Sequence, residues 1–195
     1  MSELGYWRKA NQKGYQKAIA QKEFLHENSR ELLTSVRKMV PSADSIMEVG
    51  CGAGRNLVYL MDAYHPSRIV GTDLSRNACF EHMDPRLKSV IEFITSDSRD
   101  LFAVSEFEVD LLLFSDHLMH LPPEAVRFII DRLCSGAWKF RHLVIRDTDI
   151  PRQRKPIKYA HDYSKLTGHF KVLADESSAR EGYFIRIYGG QHDGG

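Results

Sequence analysis

Residues 45–60 read SIMEVGCGAGRNLVYL, and the reading of this stretch decides the fold. A short, mostly apolar run suits a buried strand, glycines follow at positions 50, 52 and 54, and Leu57, Leu60 and Met61 then mark one face of a helix. The pattern is strand, tight turn, helix. A turn stripped of side chains lets main-chain N–H groups and the positive end of the helix face something anionic or bulky.

The flanking sequence repeats the theme. RIVGTDL (68–74) and SVIEFITSD (89–97) read as strands that each end in an acid, and VDLLLFSD (109–116) is a nearly unbroken apolar run, as expected for a strand covered on both faces. HLVIRD (142–147) is a fifth strand, while FKVLAD and YFIRIYG, separated by a polar stretch containing Gly182, form a terminal antiparallel pair. Between them SRNACFEHM makes a short helix. PPEAVRFIIDRL makes a longer one, with Val126, Ile129, Ile130 and Leu133 on one face and proline in its first turn. Residues 18–40 carry Phe24, Leu25, Leu32, Leu33, Val36 and Met39 at helical spacing until Pro41 stops them. The expectation is one α/β domain over 1–195: an N-terminal helical cap (1–40), a doubly wound, mostly parallel core (45–147), an irregular polar segment (148–168) and a C-terminal antiparallel strand pair (169–189). The irregular segment is long enough to be a candidate lid.

Composition narrows the function classes. With 195 residues, 43% of them hydrophobic and 27% charged, the chain can bury an ordinary globular core, and a formal charge of +1 gives no global field toward nucleic acid or an anionic membrane. Three cysteines at wide spacing, without CxxC, suggest neither a disulfide framework nor a zinc site. No apolar signal core or long apolar run is present, so a cytoplasmic protein is expected.

The glycine turn discriminates among ligands. Dinucleotide binding asks for G-x-G-x-x-G, whereas here the last glycine's place is held by Arg55; a phosphate loop asks for Gly-Lys-Ser/Thr, which is absent. Instead E-V-G-C-G-A-G, with Glu48 two residues before the first glycine, resembles the first motif of class I S-adenosylmethionine-dependent methyltransferases. Asp73 stands where that family's acid receives the ribose hydroxyls, Asp97 where the family contacts adenine, and FSDHLMHLPPE (114–124) resembles its fourth-strand motif. The likeness spans residues 45 to about 147, and YWRKANQKGY near the start is similar to the N-terminal segment of a small-molecule and glycan-modifying subset. It implies a seven-stranded Rossmann-like sheet, S-adenosylmethionine as cofactor, and a pocket made by Glu48, Gly50, Cys51, Gly52, Gly54, Asn56, Asp73, Leu74, Asp97, Ser98 and Ser115.

The residues suit that ligand on physical grounds. Adenine, a ribose diol, a sulfonium and a zwitterionic tail call for close backbone approach plus an acid for the diol, which Gly50, Gly52 and Asp73 supply. Glu48 either caps neighbouring N–H groups, orients the turn or meets the ligand's ammonium. Arg55 and Asn56 either reach the carboxylate tail or face solvent. For catalysis, in-line orientation dominates, worth on the order of 7–11 kcal/mol, and a base adds only about 10²–10⁴-fold. Asp116, His117 and His120, just beyond the fourth strand, are the candidate catalytic residues.

Asp116 with Asp147 and Asp149 also resembles the magnesium site of catechol-type O-methyltransferases. Met119 replaces those enzymes' lysine and Thr148 their asparagine, so no metal is expected. Tyr6, Trp7, Tyr159, His161 and Tyr163 lie in the segments expected to cover the acceptor, with the aromatic faces and polar tips a small organic acceptor needs. RQRK with Lys158 could hold an anionic group or RNA, but no stacking signature accompanies it. The expected function is therefore methyl transfer to a small or medium organic acceptor, sugar-derived or a natural product. An RNA or protein methyltransferase and a catalytically silent cofactor-binding module are the alternatives.

Overall fold

The computed structural model describes residues 23–151 and 158–190. Seven strands form one sheet: β1 (Ser45–Val49), β2 (Arg68–Asp73), β3 (Ile91–Thr95), β4 (Phe107–Ser115), β5 (Trp138–Thr148), β6 (Lys171–Ser177) and β7 (Tyr183–Gly189), in the order β3-β2-β1-β4-β5-β7-β6. The first five run parallel, and β7 lies antiparallel to both β5 and β6. The expected seven-stranded sheet with a reversed terminal hairpin is present.

Alternation along the central strands sorts the core onto two faces, because successive side chains point to opposite sides. Ile46, Leu111, Leu113 and Val144 face α1 (Glu23–Met39), through Leu32 and Val36, and α2 (Arg55–Tyr64), through Leu57 and Leu60. On that face lie also two short helices, α3 (Arg76–His82) and α4 (Pro85–Lys88), the latter contributing Leu87. Met47, Val49, Leu112, Phe114 and Ile145 face α5 (Ser98–Val104), α6 (Pro123–Cys134) and α7 (Ser164–His169). Strands buried on both sides explain why β1 and β4 read as continuous apolar runs. In α6 the four residues expected on one face are all buried.

Three departures from the expectation have local causes. α5 forms in a stretch to which the sequence reading assigned no helix, since Asp97 caps it by accepting from the Asp100 amide at 3.0 Å and Leu101 and Phe102 are buried beneath it. β5 starts earlier than expected because Trp138 is held by Phe102, stacked at 3.9 Å. Within the segment expected to be irregular, α7 forms and Tyr163 and Leu166 are 3% and 0% exposed, so its described C-terminal half belongs to the core.

Parallel strands place all their carboxyl ends on one sheet edge, and the reversal of β7 brings its first residue, Tyr183, to that edge beside Thr148. The candidate site lies along it.

Candidate active site

At the tip of β1 the chain turns through Gly50, Gly52 and Gly54, with φ of 74°, 54° and 75°. These left-handed values favour glycine, and a Cβ on Gly50 would lie 2.1 Å from Nδ1 of His117. The amides of Gly50 and Cys51 both donate to the Thr72 carbonyl at 2.9 Å, lashing the turn to β2. Cys51 contributes main chain here. Its side chain packs beside Gly71 on β2, where burial pushes the thiol well above its ordinary pKa. Gly54 caps α2 and delivers Arg55 and Asn56 into the first turn.

Asp73 closes the cradle. One carboxylate oxygen accepts from the Gly52 amide at 2.9 Å and the other from the Leu74 amide at 2.7 Å. An ionised carboxylate has about four lone-pair sites, the acceptor chemistry that a vicinal diol calls for.

Beneath the turn lies a buried polar chain. Asn56 donates to Oε1 of Glu48 at 2.6 Å, Ser29 of α1 donates to Asn56 at 2.6 Å, and Nε of Arg55 donates to Ser29 at 2.7 Å. Glu48 is 1% exposed, and its Oε2 has no hydrogen-bond partner among the described residues. Desolvation lifts its pKa to about 8, against the opposing pull of the Asn56 bond. Burial also lowers the pKa of Arg55, with Asp116 and Glu48 offsetting part of the effect.

The loop after β4 crosses above the turn. Asp116 takes a left-handed φ of 55°, uncommon for a residue with a side chain, and its amide donates to the Arg146 carbonyl at 2.9 Å. Nη1 of Arg146 donates to Asp116 Oδ1. His117 turns back over Gly50 and pairs Nε2 with Ser98 Oγ at 2.6 Å, so it bridges the glycine turn and the start of α5. Burial holds its pKa down at about 4. His120 follows on a single 3-10 turn, Leu118–His120, half-buried. Ser115 ends β4, also half-buried.

The expected substrate segment is split by the structure. Tyr6 and Trp7 lie outside the described residues. The Tyr159 amide donates to the Met119 carbonyl at 2.8 Å, and Nε2 of His161 meets the Leu118 carbonyl at 2.9 Å, which straps residues 158–163 across the loop after β4. Tyr163 is turned inward instead, donating to the buried carboxylate of Asp147, whose other oxygen accepts from the Thr148 amide. Of the three acids that a magnesium site would use, Asp116 is engaged by Arg146 and Asp147 by Tyr163. Among the described residues no group of three His, Cys, Asp or Glu side chains is placed to hold a metal.

Sequence reasoning missed Arg146, which sits at the heart of this edge with 1% exposure. A cationic residue directly after the apolar run 143–145, near the end of the fifth strand, was the available signal. Tyr183 and Ser29 were missed as well, since only the fold brings them to the edge.

The geometry fits a nucleoside with a charged amino acid arm: bare main chain at the tip of β1, an acid at the tip of β2, and a buried carboxylate oxygen free to accept from an ammonium. Comparison with known proteins agrees. Residues 46–135 match the family model described as a methyltransferase domain. Magnesium protoporphyrin IX methyltransferase from Synechocystis PCC 6803, solved with bound S-adenosylmethionine, is 18% identical with a TM-score of 0.69, covering 97% of each chain. The N-methyltransferase NodS from Bradyrhizobium japonicum WM9 is 20% identical with a TM-score of 0.63, covering 87% of this chain and 98% of its own. Human N-acetylserotonin methyltransferase in complex with S-adenosylmethionine is 14% identical with a TM-score of 0.59, covering 83% of this chain and 51% of its own. No curated protein sequence matches. Residues 46–135 thus carry a methyltransferase domain, in a chain whose fold is that of the S-adenosylmethionine-dependent methyltransferases it resembles.

Proposed function

We propose that the protein methylates a small or medium organic acceptor by direct in-line displacement, within a single domain spanning the chain. The observation that supports this reading is the strap of residues 158–163, hydrogen-bonded along the loop after β4 so that this loop, which borders the acceptor in this reading, is covered. Enclosure suits a small molecule, whose transfer requires water to be excluded, better than a polymer, which needs an open groove. The neighbours named for magnesium protoporphyrin IX and N-acetylserotonin support the same class. A cytoplasmic setting fits the free thiols, and no described helix is long and apolar enough to cross a membrane.

In this reading Gly50, Gly52 and Gly54 shape the cradle with the main chain of Cys51, Asp73 takes the ribose diol beside Leu74, and Glu48, held by Asn56, meets the ammonium. Asp97, Ser98 and Ser115 border the adenine and the sulfur. The cofactor supplies the electrophilic methyl group; the chain supplies alignment. His117, held neutral and bonded to Ser98, positions the pocket wall. His120 takes a proton where the acceptor must lose one, imidazole being suited to this near neutral pH. Asp116 fixes Arg146, and Tyr159 and His161 cover the acceptor.

Calorimetry with S-adenosylhomocysteine tests the cofactor site. Assaying S-adenosylhomocysteine formation across a panel of phenols, amines, acids and sugars, against bulk RNA and protein, tests the acceptor class. Turnover confined to RNA or protein would overturn the small-molecule reading, and cofactor binding without turnover on any of these would mark a silent module.

A further inference from the structure

The guanidinium of Arg146 uses only part of its donor set. Nη1 bonds Asp116, whereas Nε and Nη2 are buried with no hydrogen-bond partner among the described residues. Nε–H and Nη2–H are the parallel pair on one edge of the guanidinium, the fork that matches the two oxygens of a carboxylate. A buried, charged donor pair left unmatched is costly, and an incoming carboxylate would satisfy both donors at once.

The surroundings favour an anion. Arg146 Cζ stands over the Tyr183 ring at 5.1 Å from its centroid, and Arg180 Cζ and Lys158 Nζ approach the same ring at 4.2 and 4.9 Å. Three cations therefore converge on one aromatic ring, with Asp116 the carboxylate paired among them, since Asp147 is committed to Tyr163 and Thr148. Their place in the sheet also matters. The glycine turn and Asp73 occupy the tips of β1 and β2, while Arg146 and Tyr183 occupy the tips of β5 and β7, on the far side of β4 from the cofactor's ribose.

We propose that the acceptor carries a carboxylate, bound bidentately by the Nε–Nη2 edge of Arg146 within the cation ring around Tyr183. This rests on the small-acceptor reading and names its chemical class. Arg146 is buried with its guanidinium against the Tyr183 ring, so the proposal requires this ring to give way as the acceptor enters. Held in the fork, the carboxylate has its lone pairs engaged and serves as the handle; the methyl group goes to another atom of the acceptor.

The test uses benzoate as probe and benzamide as its neutral isostere, each titrated into the full-length protein saturated with S-adenosylhomocysteine and followed by ligand-observed NMR. Benzoate should join the complex at least about tenfold more tightly than benzamide, and Arg146→Lys, which keeps the charge but loses the fork, should abolish the preference. Equal binding of the two probes, or none, would overturn the inference. Displacement of S-adenosylhomocysteine by benzoate would also overturn it, by assigning the fork to the cofactor's own carboxylate. If Arg146→Lys does not fold, Arg180→Glu on the exposed side of the ring decides: weakened benzoate supports the proposal and unchanged benzoate sinks it. The two readings fail separately. Missing S-adenosylhomocysteine heat strikes the cofactor site, whereas normal heat without benzoate preference strikes the carboxylate alone.

Discussion

His117 and Ser98 are joined at 2.6 Å, and the imidazole they hold in place lies across Gly50 so closely that a methyl group there has no room. The contact ties the loop after β4 to both the glycine turn and the first residue of α5. Desolvation, with His120 adding repulsion, lowers the His117 pKa to about 4. The folded state therefore refuses a proton that the unfolded state accepts below its ordinary value of 6.5. Stability from this group is complete above that value and is lost as pH falls toward 4, by at most about 3 kcal/mol. Melting temperature measured across this range should fall more steeply for the wild type than for His117→Asn, which keeps a polar partner for Ser98 but does not titrate. Parallel curves would show that His117 is not buried neutral.

Gly50→Ala should damage both fold and site. The left-handed backbone costs a side-chain residue about 1–2 kcal/mol, and the clash with His117 adds to it. We expect a lower melting temperature and S-adenosylhomocysteine affinity reduced by at least about tenfold, since displacement of the imidazole also disturbs Ser98. Calorimetry on the folded variant reads the second effect directly; unchanged affinity would remove Gly50 and His117 from the cofactor pocket.

How much of this was visible in the sequence depended on the range of the interaction. The turn at Gly50, Gly52 and Gly54 was legible because backbone geometry restricts the residue type at each position. β1, β4 and α6 were legible because burial imposes a period. α5 was not, since only Leu101 and Phe102 are apolar in its buried face and its start depends on the Asp97 cap, which a turn would also use. Arg146 was not legible as a site residue, because its partner Asp116 lies thirty positions away and meets it only when β4 pairs with β5. Tyr163 was expected to cover the acceptor, yet it is buried and its hydroxyl answers to Asp147, a pairing composition does not reveal.

Asp73 organises the cradle before any ligand arrives, so its removal acts twice. Asp73→Ala leaves the Gly52 and Leu74 amides without this acceptor and, in the proposed reading, deletes the acceptor for the diol. Loss of charge-assisted bonds of this kind weakens affinity by about tenfold to a hundredfold. Asp73→Asn, which retains one carbonyl oxygen, should fall between the wild type and alanine. A calorimetric titration with S-adenosylhomocysteine in which all three proteins bind alike would dissociate the acid from the cofactor.

Glu48 supplies a proton-linked signature of cofactor binding. With its pKa lifted from 4.5 to about 8 by burial, the carboxyl is largely protonated at neutral pH, and an ammonium brought beside Oε2 favours the ionised form. Binding of S-adenosylhomocysteine near pH 7 should therefore release a proton, seen as a dependence of the calorimetric enthalpy on the ionisation heat of the buffer. Affinity should rise with pH up to about 8. Glu48→Gln should abolish the proton release. It should also gain stability over the wild type as pH rises, because the native carboxyl loses stability between its ordinary value and about 8, at up to about 1.4 kcal/mol per pH unit. Undiminished proton release in the glutamine variant would place the ammonium elsewhere.

Asp147 and Tyr163 anchor the end of the strap that crosses the loop after β4, and their pairing predicts a stability effect that grows with pH. Burial raises the Asp147 pKa from 3.8 to about 7, with the hydrogen bond from Tyr163 opposing the rise. Stability contributed by this carboxyl is present below 3.8 and is lost as pH climbs through about 7, where the charge forms in a site with 0% exposure. Tyr163→Phe removes the donor that best stabilises the charged form. The variant should lose about 1–3 kcal/mol relative to wild type, more at about pH 9 than at about pH 5. In Asp147→Asn no charge forms, so its stability relative to wild type should improve over the same interval. Chemical denaturation of the three proteins at both pH values measures this, and a Tyr163→Phe penalty of the same size at each would mean that the tyrosine packs against β5 without governing the ionisation of Asp147.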